Sequence, residues 1–164
     1  MKVLFSKRRG FNIPSMFFRL IDNSEFSHAA ILIETAYGSL VIQSNHLGVH
    51  ATSFRSFITD NEIVKMIHLN PSVEQKIIIM ETIYKLLGVG YGFLNVFGAG
   101  ISRVFKLSKN IFADGDKTEF CSEFAYDVLD NAYNLTGFKA ELDGPKKLYE
   151  LLKAYQVKEL EGAV

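Results

Sequence analysis

The chain has 164 residues, of which 48% are hydrophobic and 22% charged, and its 18 basic and 18 acidic side chains cancel. These values are typical of a folded globular protein and argue against disorder. Without a basic excess or stripe, the chain is not expected to bind nucleic acid. We predict a single domain over residues 1–164, long enough to bury a substantial core.

Cysteine content and hydropathy also bear on location. The one cysteine cannot form an internal disulfide, so no oxidising compartment is required. Lys7, Arg8 and Arg9 interrupt the apolar N-terminal sequence too early for a secretory signal. No stretch approaches the ~20 apolar residues of a membrane helix. The sequence therefore predicts a cytoplasmic protein without an integral membrane segment, and its oligomeric state stays open.

The first half of the chain is predicted to be mainly β. Pro14 opens one helix, whose apolar face carries Ile13, Phe17, Leu20 and Ile21. Because strands joined by short loops usually pair with their neighbours, an antiparallel meander is expected. Runs of β-forming residues bounded by turn residues predict five strands, over residues 1–6, 27–34, 39–45, 48–54 and 62–69.

After Pro71 the apolar period becomes helical. Ser72 and Gln75 have the spacing of a capping box. The segment 88–92, with glycine at every second position, is expected to end the helix. Residues 93–116 give no clear pattern. Two later helices are predicted, one over residues 120–133 and one that begins at Gly144–Pro145.

Two residue types in this pattern suggest nucleophilic chemistry. Cys121 begins a predicted helix, where unpaired N–H groups and the positive end of the helix dipole favour the thiolate. His28 lies on the predicted strand 27–34 and would be the base. A hairpin through residues 35–38 pairs position 28 with 45 and 30 with 43, so Gln43 and Asn45 share the face of His28. Either amide would fix the imidazole tautomer, whereas Glu34 lies roughly 20 Å along the strand.

Simpler interpretations apply to each of these residues. A lone cysteine on a helix, or a histidine in an apolar strand, is often a packing residue. The three other histidines, His46, His50 and His68, are most simply surface or sheet-edge residues, and His46 and His50 make a weak zinc candidate. The glycines at 88–92 do not form a dinucleotide-binding loop, because they follow a helix rather than a strand.

Four segments together resemble the permuted papain-like amidases of the YaeF/YiiX type. They are Ser-His-Ala-Ala-Ile at 27–31, Val-Ile-Gln-Ser at 41–44, the Gly/Tyr/Phe segment at 88–98 and Phe-Cys-Ser-Glu-Phe at 120–124. That group is related to NlpC-type cysteine peptidases and to lecithin retinol acyltransferase-like proteins. In papain the cysteine precedes the histidine, whereas here, as in the permuted proteins, the histidine strand comes first.

The resemblance covers about residues 1–155 and implies a circularly permuted papain-like α+β fold, with a small antiparallel sheet packed against helices. It makes Cys121 the nucleophile and His28 the general base. Gln43 stands where relatives commonly have a glutamate, which leaves the third member uncharged. Tyr91 matches a family tyrosine and is a candidate for the substrate pocket, although Gly92 replaces the aspartate that follows it.

The implied activity is a cysteine hydrolase that cleaves an amide or related acyl bond through an acyl-thioester intermediate. It would need neither a metal nor an organic cofactor, and its substrate would be a small molecule, peptide or lipid that carries an acyl bond. Two alternatives stay open. The same dyad would serve an acyltransferase, and the uncharged Gln43 keeps a catalytically inactive papain-like binding module in consideration.

Overall fold

The computed structural model describes residues 1–10, 16, 19–20, 22–91, 118–139 and 143–162, without the side chains of residues 91, 118, 119 and 157–162. The helix predicted after Pro14 lies largely outside these residues, and so does the segment 93–116. No helix in the described part is long and apolar enough to cross a membrane.

An antiparallel five-stranded sheet forms the centre of the fold. Its spatial order is β4-β3-β2-β1-β5. Its strands are β1 (Lys2–Arg8), β2 (His28–Thr35), β3 (Gly38–Asn45), β4 (Gly48–Ser53) and β5 (Asn61–His68). The predicted strands are confirmed to within two residues at either end. β2 and β3 pair in the expected register, with Ile31 opposite Ile42.

The predicted meander is wrong for β5, which pairs with β1 instead of β4. The cause is a short helix that the sequence did not reveal, α1 (Phe54–Asp60). Phe57 of α1 is buried, and α1 carries the chain back across one face of the sheet. The Arg9 backbone N–H then donates to the carbonyl of Asp60 at 2.8 Å, which brings the two strands together. Burial of one such aromatic side chain contributes roughly 2–3 kcal/mol.

Three longer helices complete the described structure. The capping box of α2 is confirmed, since the Ser72 hydroxyl accepts from the Gln75 N–H and the Gln75 side chain accepts from the Ser72 N–H. The helices are α2 (Val73–Leu86), α3 (Cys121–Tyr133) and α4 (Pro145–Gly162). Two short strands, β6 (Gly90–Tyr91) and β7 (Thr118–Glu119), pair in parallel with each other.

Each face of the sheet has its own apolar core. One face presents Val3, Ala29, Ile31 and their neighbours to α2, α3 and α4. The other face carries a smaller cluster of Leu4, Ala30, Leu32, Val41 and Phe57, covered by α1. The alternation predicted for β2 is therefore confirmed, because its odd and even residues lie in different cores. His28, at the start of β2, lies on the α1 side, where its ring stacks on Phe57 at a centroid distance of 6.2 Å.

Two glycines fix the edge of the sheet beside α2. Gly88 has φ +86°, a conformation that favours glycine, and it ends α2 as the sequence predicted. Gly48 has φ +83°, and a Cβ at this position would lie 2.4 Å from the Val89 carbonyl oxygen. Val49 exchanges backbone hydrogen bonds with this segment, donating to Val89 and accepting from Gly88. Only glycine at position 48 allows β4 to approach so closely.

Candidate active site

The histidine predicted as the base meets one of the two candidate amides. His28 Nε2 lies 2.8 Å from Gln43 Oε1. An amide oxygen accepts only, so Nε2 carries the proton and donates it to Gln43. In the neutral ring Nδ1 is then unprotonated and is free to act as a base.

A second histidine fixes the orientation of that amide. His50 lies directly opposite Gln43 in the β3–β4 register, and its Nδ1 donates to the Gly48 carbonyl at 3.0 Å. His50 Nε2 is therefore an acceptor, and it lies 3.5 Å from the Gln43 amide nitrogen. The amide group consequently turns its oxygen towards His28. His50 is on an edge strand, as predicted, but its contact with Gln43 was missed at the sequence level.

The other residues considered for orienting His28 have different partners. The Asn45 side chain accepts from the Leu47 N–H at 2.9 Å and closes the β3–β4 turn. Glu34, as expected, is remote and pairs with Lys2 at 2.6 Å. Of the two amides considered, Gln43 is thus the one that contacts the imidazole.

Cys121 is the first residue of α3 and is 6% exposed. Its thiol donates to the carbonyl of Ser27, at an Sγ–oxygen distance of 3.9 Å, and not to the His28 ring. Because Ser27 immediately precedes His28, the sulfur lies against the backbone that carries the imidazole. The Ser122 hydroxyl donates to the Asp143 carbonyl at 3.1 Å and ties the start of α3 to the segment before α4.

The start of α3 has no side-chain cap. Its N-cap residue is Phe120, whose ring cannot accept a hydrogen bond from the first N–H groups of the helix. Glu123 reaches back and accepts from the Phe120 N–H at 3.4 Å. The N-cap position of α3 therefore holds no polar side chain.

The prediction of a thiolate at this position is wrong for the resting protein. Burial raises the pKa of the Cys121 thiol to about 11, although the N–H groups of Ala29 and Ser122 act in the opposite direction. Desolvation disfavours the charged form more than the helix terminus favours it. Burial likewise lowers the pKa of His28 to about 4, against the smaller effect of its bond to Gln43. Thiol and imidazole are therefore both neutral near pH 7.

A buried serine of β1 lies beside His28 in the sheet. Ser6 pairs with His28 across β1 and β2, so the two side chains share a face. Ser6 is 0% exposed, and its hydroxyl has no hydrogen-bond partner within the described residues. A buried hydroxyl without a partner costs about 1–3 kcal/mol.

We expect Ser6→Ala to raise the free energy of unfolding by about 1 kcal/mol, because it removes an unpaired buried hydroxyl. Ser122→Ala is the matched control. It deletes an equally buried hydroxyl that has a partner, and it should lower the free energy of unfolding by a similar amount. Urea denaturation of both variants measures the difference. Equal losses in the two variants would mean that the Ser6 hydroxyl is satisfied in solution.

Two other predictions for the site concern Tyr91 and metals. Tyr91 belongs to β6, but its side chain lies outside the described part of the chain, so its role in a pocket stays a prediction. In the described ranges, no three His, Cys, Asp or Glu side chains cluster as metal ligands. One ring nitrogen of each histidine at the site is already engaged in a hydrogen bond. His28 Nε2 donates to the Gln43 side-chain oxygen, and His50 Nδ1 donates to the Gly48 carbonyl.

Comparison with known proteins defines the class. The chain matches the family described as "permuted papain-like amidase enzyme, YaeF/YiiX, C92 family" over residues 3–150. Among solved structures, it is similar to yiiX from Escherichia coli O157:H7, described as a metalloprotein, with a TM-score of 0.61 and 23% identity. The match covers 82% of this chain and 66% of yiiX, slightly under two thirds of its length. No curated protein matches.

The fold is thus that of a permuted papain-like protein of the α+β class, as predicted. The chain belongs to the YaeF/YiiX family of permuted papain-like amidases. The likeness to yiiX concerns the fold.

Proposed function

We propose that this protein is a cysteine hydrolase that cleaves an amide or related acyl bond, with Cys121 as nucleophile and His28 as general base. One observation carries the proposal. The sulfur at the start of α3 lies against the backbone that precedes His28, while Gln43 holds the His28 ring in the tautomer with a free Nδ1. Nucleophilic catalysis pairs a thiol with a base of this kind, and the contact of Cys121 with the residue before His28 supports that pairing.

The proposed reaction begins from a neutral pair. The thiol exchanges its hydrogen bond to Ser27 for one to His28 Nδ1, which takes the proton as the sulfur attacks the carbonyl carbon. The C–N or C–O bond then breaks, and the His28 imidazolium gives its proton to the leaving group. Water, deprotonated by His28, attacks the thioester and releases the acid and the free thiol.

Gln43 and the helix terminus act at different moments. The Gln43 oxygen accepts from His28 Nε2 throughout, and it stabilises the imidazolium while that charge exists. The N–H groups of Cys121 and Ser122 act on the sulfur, and the N–H of Cys121 would donate to the oxyanion of the tetrahedral intermediate. His50 would keep the Gln43 amide from rotating.

We expect the resting thiol to react slowly with iodoacetamide. Its pKa of about 11 lies above the ordinary value, so the thiolate fraction at pH 8 falls about 10²-fold relative to the urea-unfolded chain. The alkylation rate should rise about tenfold per pH unit until the pH approaches the pKa. Mass spectrometry of the intact protein follows the reaction, and Cys121→Ala gives the background. A folded protein that alkylates as fast as the unfolded chain at pH 8 would contradict the effect of burial.

A second candidate function is a binding module without turnover. The specific observation in its favour is that the thiol donates to Ser27 instead of His28 and is protonated at neutral pH. Slow alkylation is expected in both cases, so it does not separate them. The two functions are separated by measuring whether an acyl-thioester forms and is hydrolysed, because only the enzyme turns it over.

A further inference from the structure

One face of α2 carries large apolar side chains that the core does not use. On its inner face, Ile79 and Ile83 are buried in the core. The outer residues recur at alternating spacings of four and three, which is how helices meet in a two-stranded coiled coil. We name them the α2 stripe: Val73, Ile77, Met80, Tyr84 and Leu87.

The α2 stripe is more than scattered surface hydrophobicity. Val73 is 67% exposed, Ile77 54% and Tyr84 80%. Single exposed apolar residues are normal in folded proteins, but a row of four along α2, continued by Leu87 directly after its last residue, is typical of an interaction surface. Its position on the outside of α2 separates it from the sheet face that carries His28 and Gln43.

The charges beside the stripe identify its partner. In the heptad that puts Ile77 and Tyr84 at position a, Lys76 falls at position g and Glu81 at position e. Neither side chain forms an ion pair within the described chain. Between two parallel copies of α2, Lys76 of one copy would face Glu81 of the other, because position g meets the e position five residues later. Two-fold symmetry makes this pairing twice, whereas an antiparallel arrangement would place like charges together.

A membrane surface fits the same helix less well. Helices that lie on membranes carry an excess of Lys and Arg on the polar face. On α2 two basic residues, Lys76 and Lys85, are balanced by Glu74 and Glu81. The charge distribution therefore matches a second copy better than it matches an anionic lipid surface.

We propose that the protein forms a parallel two-fold dimer through the α2 stripe. The contact spans about two heptads, which is too short to hold two free peptides together. Because α2 is already folded against the core, no free energy is lost in forming the helix on association. This inference does not depend on the proposed catalytic function.

The first test is sedimentation equilibrium of the full chain over a wide dilution series. We expect the wild type to pass from the mass of one chain to twice that mass as concentration rises. Ile77→Lys combined with Tyr84→Lys should leave a monomer at every concentration, because both side chains lie at position a of the contact. The two side chains are exposed in the monomer, so the variant should keep its melting temperature.

Charge exchange tests the orientation. Lys76→Glu and Glu81→Lys should each weaken dimerisation at least about tenfold, since each sets like charges against each other. An equimolar mixture of the two variants should recover the wild-type affinity. In the mixed dimer, one chain is acidic at positions 76 and 81 and the other is basic at both, so opposite charges face each other again. Lys153→Glu, at an exposed position on α4, is the control for the change in net charge.

The outcomes are distinct. Dimerisation that the stripe variants abolish and the mixture restores supports the proposal. A wild type that stays monomeric overturns it, as does a dimer that the variants leave unchanged. Flotation of wild-type protein with phosphatidylglycerol vesicles, lost in the stripe variant while the protein is monomeric in solution, would assign the stripe to a membrane and would also overturn it.

Discussion

Replacing Cys121 by alanine is expected to abolish acyl-enzyme formation and to lower turnover by about 10³-fold or more, because the nucleophile cannot be substituted by a neighbouring group. The chain has no other cysteine, so a thioester can form at this position alone. Intact-mass spectrometry after mixing with p-nitrophenyl acetate should therefore show one hydroxylamine-sensitive acetyl group on the wild type and none on the variant.

Two further variants make the experiment specific. His28→Ala should reduce acetylation of Cys121 by about 10²-fold or more, since it removes the base but keeps the thiol. His46→Ala is the matched control, because His46 is exposed in the β3–β4 turn, and it should behave as the wild type. Turnover of N-acyl aminomethylcoumarin amides then distinguishes a hydrolase from a module that is acylated once and stops.

The result that contradicts the mechanism is equally clear. If Cys121→Ala hydrolyses the amides at the wild-type rate, the sulfur is not the nucleophile. If the wild type acetylates no faster than its urea-unfolded form and releases no product, the binding module is the better description. Thermal melts accompany each variant, and the small change at Cys121 is expected to cost about 1–2 kcal/mol of stability at most.

The features predictable from sequence were those set by local pattern. Alternation and a short turn fixed the β2–β3 register, and this register put Gln43 on the same face as His28. Spacing alone gave the capping box of α2. The choice between Gln43 and Asn45 stayed open at the sequence level, although its cause is local: the Asn45 side chain accepts from the N–H two residues later.

The errors arose where tertiary packing decided the outcome. β5 pairs with β1 because α1 crosses the sheet, and nothing in residues 54–60 resembles a long amphipathic helix. The thiolate prediction weighed the helix terminus without the desolvation that only packing supplies. The contact of His50 with Gln43 was within reach, since a two-residue turn at 46–47 already pairs position 43 with 50.

Gln43→Glu is expected to move the acid limb of the pH–activity profile upwards. A carboxylate beside His28 Nε2 would raise the pKa of the imidazole from about 4, because it stabilises the imidazolium. His28 must be unprotonated to act as a base, so the acid limb of kcat/KM should lie near pH 4 in the wild type and move up by at least about one unit in the variant. Because the added carboxylate does not favour a nearby thiolate, alkylation of Cys121 at pH 7 should not accelerate.

The comparison with Gln43→Ala separates charge from orientation. This variant loses the acceptor that holds the tautomer, so kcat/KM should fall about 10²-fold, while its acid limb should not move upwards because no charge is added. His50→Gln is the milder change. It leaves Gln43 in place but removes the group that fixes the amide orientation, so its loss of activity should be smaller. Its acid limb should move slightly upwards, because the charge of His50 lowers the pKa of His28. An acid limb that does not move in Gln43→Glu would show that His28 is not the titrating base, because a new charge at 2.8 Å from its ring must alter its protonation.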